Sequence, residues 1–513
     1  MGRFFAILLF ALIAAMRLHS QVLPGEGSSL NYRLIGFSFS PGAAGARYKI
    51  EVAKGHFSPD DPIDSFKRNI VASTAYAKDT KLIIEVPSFG KQYTWRVVTE
   101  GKANASKAFH HFSTSVVNEV DTSAVHLRVL QKATHYQDAY VFLDGCRALF
   151  DMNGNAVWYL PDIDSFKTGR SDLRDLKATP QGTISFLFEE HAAYEVNYNG
   201  QVLWKARNDG SANGHDQEYY HHELTRLENG HYMLLGSEWV TWNQQAPSGT
   251  DSSFVITHAD TKKPGRDARR DMSRPFGTII EYDEKGRVVW TWRSASYFRT
   301  SDIYYHKAHG NRVEIAPHEN SFYFDEKDSV IYVAFRNISR IVKLKYPEGK
   351  VLATYGEEYT ADKPEAGNSQ FCRQHSVRRS DRGYLYLYNN NVCPQGTALP
   401  QVLKFKEPAS GRNLEKIWEY NCTTEGATTP GPFHFPTGGN VIELPDHSLL
   451  VNMSTSYSKV FIVSEDKQIL WSAIPEKWNE QVKAWQMVYD YRASILMRKD
   501  LEQLIWNAEY GAK

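Results

Sequence analysis

The sequence predicts an all-β protein: a six-bladed β-propeller preceded by an N-terminal β-sandwich of fibronectin III/Ig-like type. Three observations predict it. A unit made of a Gly or Lys turn, two or three apolar residues and usually a Trp recurs six times between residues 154 and 471. Strand–turn–strand runs precede several of these copies. The chain also holds 29 Tyr, 26 Phe and 12 Trp, a content that suits pleated faces better than helices.

The first residues read as a targeting segment. Arg3 supplies a positive start and Phe4 to Met16 an apolar run, with Ser20 before Gln21. That run is too short to span a bilayer and has the flanks of a secretory signal, so residues 1–20 are expected to be a signal peptide and the protein periplasmic or secreted. Four cysteines follow: Cys146, Cys372, Cys393 and Cys422. Export permits oxidation, and Cys372 and Cys393, flanking a hairpin-like stretch, are the favoured pair. Lys plus Arg and Asp plus Glu are both 59. The net charge is therefore zero, which removes any global basic field for nucleic acid or anionic lipid.

Residues 30–115 read as the sandwich. Tyr48-Lys-Ile-Glu-Val52, Lys81-Leu-Ile-Ile-Glu-Val86 and Tyr93-Thr-Trp-Arg-Val-Val98 alternate apolar and polar between turn residues. Residues 120–513 read as the propeller. Its repeat runs Gly154-Asn-Ala-Val-Trp158, Gly200-Gln-Val-Leu-Trp204, Gly286-Arg-Val-Val-Trp290, Gly349-Lys-Val-Leu-Ala353, Leu414-Glu-Lys-Ile-Trp418 and Lys467-Gln-Ile-Leu-Trp471. Runs such as Leu227 to Leu235, Ser380 to Tyr388 and Leu444 to Val451 supply the paired inner strands. Six copies imply six blades. The interval between the second and third copies is too long for one blade, and Asn243 to Met272 reads as a polar insertion. The end of the chain alternates ambiguously: Met487 to Leu496 reads as a strand and Asp500 onward as a short helix.

In such a fold the innermost strands converge, so residues entering them are the place to look for chemistry. Three blades open on histidine: His221-His222-Glu, His318-Glu-Asn320 and Gln374-His375-Ser. These are expected in register at one shared site. Arg336 lies one hairpin beyond His318 and should return to the same end. Imidazoles alone suit a metal. A permanent guanidinium beside them would oppose a cation and suits a tetrahedral anion instead. One imidazole can then act as nucleophile while the others hold the group it receives.

At these residues the chain resembles the bacterial arylsulfotransferase family. The span from His318 to Arg336 is similar to the family's His-x-Asn-Ser strand ending in an arginine. Gln374-His375 is similar to its nucleophile blade, and His221-His222-Glu with Leu227-Glu-Asn-Gly230 to its His-His-Asp and Leu-Pro-Asn-Gly segment. The resemblance implies ping-pong transfer of a sulfuryl group from a phenolic sulfate to a phenol, independent of 3'-phosphoadenosine phosphosulfate and of any metal or other cofactor. It implies His375 as the nucleophile that becomes a sulfohistidine. His222, His318 and Arg336 would hold sulfuryl oxygens, and Asn320 and His221 would add substrate contacts.

Glu223 departs from the family's Asp. Of the adjacent His221 and His222, His222 is preferred for the site because neighbours on a strand face opposite ways. The family's small hydroxyl residue late in the chain has Thr437 and Thr455 as candidates. Expected partners are a small-molecule donor and acceptor, with neither nucleic acid nor a stable membrane span and with a homodimer left open. The rival readings are a non-catalytic propeller binding carbohydrate or peptide, which leaves the histidines and Arg336 unexplained, and a quinoprotein or metal-dependent oxidoreductase, which would want carboxylate or amide ligands.

Overall fold

The computed structural model describes residues 22–42, 44–101, 108–115, 125–163, 173–214, 216–241, 273–298, 317–357, 370–392, 399–411, 413–427, 437–454 and 457–510. The signal segment, the Asn243–Met272 insertion, Cys393 and Thr455 lie outside these residues. The chain divides into two compact units, one formed mainly by residues up to Ser123 and the other mainly by Asp162–Asn507 with Ala124–Ala156.

The first unit holds a five-stranded sheet in the order Ser28–Leu30, His110–Thr114, Gln92–Thr99, Tyr48–Lys54, Ile70–Ser73. Leu34–Ser38 pairs Lys81–Glu85 in a second, two-stranded sheet. Alternation buries Tyr93 and Trp95, and Trp95 meets the edge of Phe37 at 5.0 Å between ring centroids. The short helix Ile63–Arg68 was not apparent in the sequence pattern.

The second unit is the β-propeller. Blades 2 to 5 are four-stranded sheets whose strands neighbour one another in chain order, beginning at Leu173, His221, Glu319 and His375. Blade 6 begins at Asn440, and its strand Ile469–Asn479 also carries Val125–Gln131 and Ala484–Met487. Blade 1 mixes the two ends of the chain: its inner strand, Ala493–Leu496, pairs antiparallel with Tyr140–Leu143. The expected strand Met487–Leu496 is thus broken in the middle, and its second half completes the first blade. The helix Arg498–Tyr510 follows.

Each sheet is covered on both faces, so its strands read as near-continuous apolar runs. In Val330–Phe335, Ile331, Val333 and Phe335 pack toward blade 3, whereas Tyr332 and Ala334 pack toward blade 5. The core is therefore a series of layers between successive blades. The Trp of the repeat explains itself here, because in blades 2, 3, 5 and 6 it lies in the outer strand and leans on the next blade. Trp204 stacks on Tyr232 at 3.7 Å, Trp290 Nε1 donates to the carbonyl of Pro347, Trp418 Nε1 to that of Glu465 and Trp471 Nε1 to that of Met152. The turn before the outer strand needs a left-handed residue, usually glycine; blade 6 manages it with Lys467 at φ 64°.

The inner strands are tied by a closed cycle of side chain to backbone hydrogen bonds. Asp144 accepts from the Asp175 N–H, Asp175 from Leu224, Glu223 from Phe322, Ser321 from Val377, Ser376 from Val441 and Asn440 from Ala493. Asp144 closes the cycle by accepting the N–H of Arg492 at 2.9 Å. The Arg492 side chain reaches across it, to Asp175 at 3.0 Å, Glu223 at 3.2 Å and the Asn320 carbonyl at 3.0 Å. Removing it would take one of two cations from each of two buried carboxylates, leaving Asp175 with Lys177 and Glu223 with Arg378. Arg492→Met is therefore expected to destabilise the protein by about 3–5 kcal/mol, read as a lower urea midpoint; an unchanged midpoint would mean the carboxylates do not depend on it.

Candidate functional site

The cycle defines equivalent positions in the blades and hence a register for the site. The residue just before each acceptor or its equivalent is Arg174, His222, Asn320, His375, Gly439 and Tyr491 in blades 2, 3, 4, 5, 6 and 1. His222 and His375 are thus in register. His318 is not: Asn320 holds the equivalent place in blade 4, and His318 stands two residues earlier. The ladder slips at this point in all three histidine blades, between His221 and Leu224, Glu319 and Ser321, and His375 and Arg378. A bulge re-aims the residue it carries. His222 at φ 60° and His318 at φ 59° adopt the left-handed conformation that histidine tolerates better than most residues. The result brings His318 back to the group despite its offset, with 5.3 Å between its ring centroid and that of His222.

Arg336 returns as the hairpin spacing predicts. Its N–H donates to the His318 carbonyl at 2.8 Å, and its guanidinium is steadied by Asn337 Oδ1 at 2.8 Å. Its charge is felt at both His318 and His375. Tyr491 fills the other side, with ring centroids 5.5 Å from His222 and 6.1 Å from His375. The Arg174 guanidinium lies 4.7 Å from the centre of the Tyr491 ring. Arg174, Tyr491 and Arg492 were missed in the sequence because no motif marks them; their place appears only when the last strand is seated in blade 1.

The hydrogen bonds fix which nitrogen each imidazole presents. His221 Nε2 lies 2.9 Å from the Gly236 carbonyl, which can only accept, so that nitrogen carries the proton. His221 Nδ1 is then a lone pair, and His222 Nδ1 at 2.8 Å must donate to it. This leaves His222 Nε2 unprotonated. His375 Nε2 accepts the Gly438 N–H at 3.1 Å, which puts the proton of the neutral ring on Nδ1, 3.2 Å from the Arg373 carbonyl; Asn390 Nδ2, 2.8 Å from Nδ1, gives its own hydrogens to the carbonyls of Arg373 and Gly438. Two imidazoles therefore carry lone pairs on Nε2, that of His375 accepting the Gly438 N–H.

Both are kept neutral. Burial, then the charges of Arg336, His318 and Arg492, hold His375 well below the ordinary histidine range. Burial, then the neighbouring His221 and His318, does the same for His222. His221 is pushed down to about 4 by burial. His318 is the solvent-exposed member, whereas His375 is 1% exposed. Protein packed around His318 and the charge of Arg336 still lower its pKa, and the guanidinium is the contribution that survives exposure. Glu319, between His318 and Asn320, is buried; burial and Glu238 raise its carboxyl well above the usual range.

Two expectations change in detail. His221, expected to touch substrate, stands behind His222 with both ring nitrogens engaged. Asn320 is fully buried, and its amide donates to the Gln374 carbonyl at 2.7 Å, so it braces blade 5 rather than facing solvent. Glu223 likewise faces the seam between blades, where Arg378 bonds it at 2.6 Å. Of the late hydroxyl candidates, Thr437 is half-buried next to Gly438. Cys372 is disulfide-bonded, whereas Cys146 and Cys422 are free. Among the described residues no group of His, Cys, Asp and Glu is arranged to hold a metal, and no helix is long and apolar enough to cross a membrane.

The family model for arylsulfotransferase (ASST) matches residues 131–263 and 254–428, together more than half of the chain and all four of His222, His318, Arg336 and His375. The chain belongs to the arylsulfotransferase family. Membership gives it a sulfotransferase activity of the general class and small-molecule substrates. Comparison with curated proteins finds no match. Among solved structures, a Bacteroides caccae protein of unknown function is 12% identical, with 71% of this chain and 97% of that one covered and a TM-score of 0.39. An auxiliary nutrient binding protein from Bacteroides thetaiotaomicron is 10% identical over 94% and 95%, with a TM-score of 0.34.

The buried relay makes a prediction about acid stability in this arylsulfotransferase. Below pH 6.5 the unfolded chain protonates His221, whereas the folded protein refuses that proton until about pH 4. Stability at this residue is therefore lost as pH falls through that window. His221→Gln should make the fall in folding free energy between pH 7 and 4.5 smaller by on the order of 2 kcal/mol. Parallel urea titrations of the two proteins check it; equal slopes would show that His221 is not buried neutral.

Proposed function

We propose that the protein transfers a sulfuryl group from an aryl sulfate to a phenol in two steps through His375, with no nucleotide cofactor. The observation that carries the reading is the His375 Nε2 lone pair, identified by the Gly438 N–H it accepts and lying within the field of Arg336. In the first step Nε2 attacks sulfur, the N–S bond forms, and the S–O bond to the donor breaks with its electron pair leaving on the phenolate. The Arg373 carbonyl accepting the Nδ1–H stabilises the positive charge that develops on the ring. Arg336 and His318 face the sulfuryl oxygens.

In the second step the acceptor oxygen attacks the same sulfur and the N–S bond breaks, returning its electron pair to Nε2. The phenol proton passes to His222 Nε2, the lone pair that the His221 relay leaves free. By microscopic reversibility the same nitrogen returns a proton to the donor phenolate. The negative charge of the bound ester favours its protonation and offsets the guanidiniums that oppose it at rest. Exclusion of water around the buried His375 protects the intermediate from hydrolysis.

Incubation with 4-nitrophenyl sulfate alone should add one acid-labile sulfuryl group to the enzyme by intact mass, mapping to His375. His375→Ala should stay folded and lose both the added mass and turnover. Near-normal turnover in that variant would end the proposal. Arg336→Lys should lower kcat by about 10² despite keeping the charge, because lysine offers no planar fork. A variant with unchanged kcat would remove Arg336 from the chemistry. Since His375 is neutral well below pH 6.5, the acid limb of enzyme loading should lie below that value; a limb at or above it would contradict the proposed nucleophile.

A further inference from the structure

Two residues before the inner row, blades 4 and 5 carry His318 and Arg373, ahead of Asn320 and His375. His318 is exposed and Arg373 half-buried, whereas Asn320 and His375 are fully buried. Both outer residues are left-handed, at φ 59° and φ 52°. A long side chain keeps that conformation only where its surroundings impose it. Around Arg373 they do. Its N–H donates to Ser339 Oγ at 3.3 Å, and the Ser339 N–H donates to the Arg336 carbonyl at 3.2 Å. The turn that carries Arg336 therefore also seats Arg373. The Arg373 carbonyl accepts from Asn390 Nδ2 at 2.9 Å. The next residue, Gln374, is fully buried and donates to the carbonyls of Phe335 and Arg340.

The side chain is the opposite case. Among the described residues its guanidinium has no hydrogen-bonding or carboxylate partner. The neighbouring guanidiniums do have one: Arg492 has Asp175 and Glu223, Arg378 has Glu223, and Arg174 has Glu189 at 3.1 Å. The charge of Arg373 is felt at the exposed His318. A cation on so firm a mount, with no acceptor of its own, suits a ligand that brings the acceptor with it. An aryl sulfate monoester carries one negative charge, which Arg336 answers. Arg373 supplies a second positive charge, one layer outside the reacting atoms.

We infer that Arg373 is a specificity-determining residue that selects phenols bearing a carboxylate on a short side chain, by pairing its guanidinium with that carboxylate. The inference rests on the two-step reading above. In each step the phenolic oxygen stands on the side of sulfur opposite His375 Nε2, so the rings of donor and acceptor extend toward the same outer row. A carboxylate arriving there forms a charge-assisted pair without displacing a resident acid. A cationic acceptor meets like charge and is disfavoured. The carboxylate takes no part in bond making; its effect is on which phenol is held.

The test compares 4-hydroxyphenylacetate with 4-hydroxyphenylacetamide as acceptors for the full-length enzyme, with 4-nitrophenyl sulfate as donor. The two acceptors share a phenol and differ by one charge. In a two-step scheme acceptor kcat/KM reports the second step alone, so effects on loading drop out. The wild-type enzyme should favour the carboxylate by about tenfold, with tyramine below the amide. Added salt should shrink that ratio. In Arg373→Gln the ratio should fall to about one, and Arg373→Lys should keep part of it. A disturbance passed through the backbone to His375 would slow both acceptors alike and leave the ratio intact, so an unchanged ratio in Arg373→Gln would overturn the inference. Equal kcat/KM for the two acceptors in the wild type would overturn it without any variant. Either result leaves the histidine mechanism standing. Failure of the wild-type enzyme to take up a sulfuryl group, read by intact mass, would overturn that mechanism, and the role of Arg373 with it.

Discussion

The structure depends on a cycle of hydrogen bonds in which a side chain at the inner side of each blade accepts a backbone N–H from the next. Six sheets supply Asp144, Asp175, Glu223, Ser321, Ser376 and Asn440 as acceptors, and Arg492 supplies the cation that crosses between them. Inner strands at the centre of a propeller cannot pair edge to edge with each other, so their ties must come from side chains. Because each tie fixes one residue in each blade, it also fixes the direction of the residue before it. The functional group is the row directly adjoining this cycle, and its geometry follows from the same bonds that hold the blades together.

That adjacency explains the electrostatics. The acids of the cycle are consumed by backbone N–H groups, Arg378 and Arg492, and they face the seams rather than the site. Burial and Glu238 raise the Glu319 carboxyl well above the usual range. What remains facing the site is a guanidinium, Arg336, and imidazoles that stay neutral because they are buried beside it. A neutral imidazole is a nucleophile, and a fixed guanidinium is an anion holder. The same burial that makes the histidines costly at acid pH makes them serviceable at neutral pH.

The fold was largely legible in the sequence, for a local reason. The turn followed by a short apolar run and Trp marks the outer strand, because in four blades the Trp bridges to the next blade and the turn requires a left-handed residue. His222, His375 and the His318–Arg336 hairpin were legible too, since each sits at the start of a recognisable strand. The misreadings share one cause. His318 looked like a register partner of the other two because a bulge cannot be counted in sequence. His221 looked like a contact because its relay to Gly236 depends on the facing strand.

By itself the sequence determined the blade unit, its number and the identity of the imidazoles and the guanidinium, because strand periodicity and turn chemistry act over a few residues. Only the tertiary structure decided which nitrogen each histidine presents, that Tyr491, Arg492 and Gly438 lie beside them, and that the last strand belongs to the first blade. The physical reason is closure. Asp490 meets the Cys146 N–H at 3.0 Å across 344 residues of chain, and no local pattern records a neighbour at that separation.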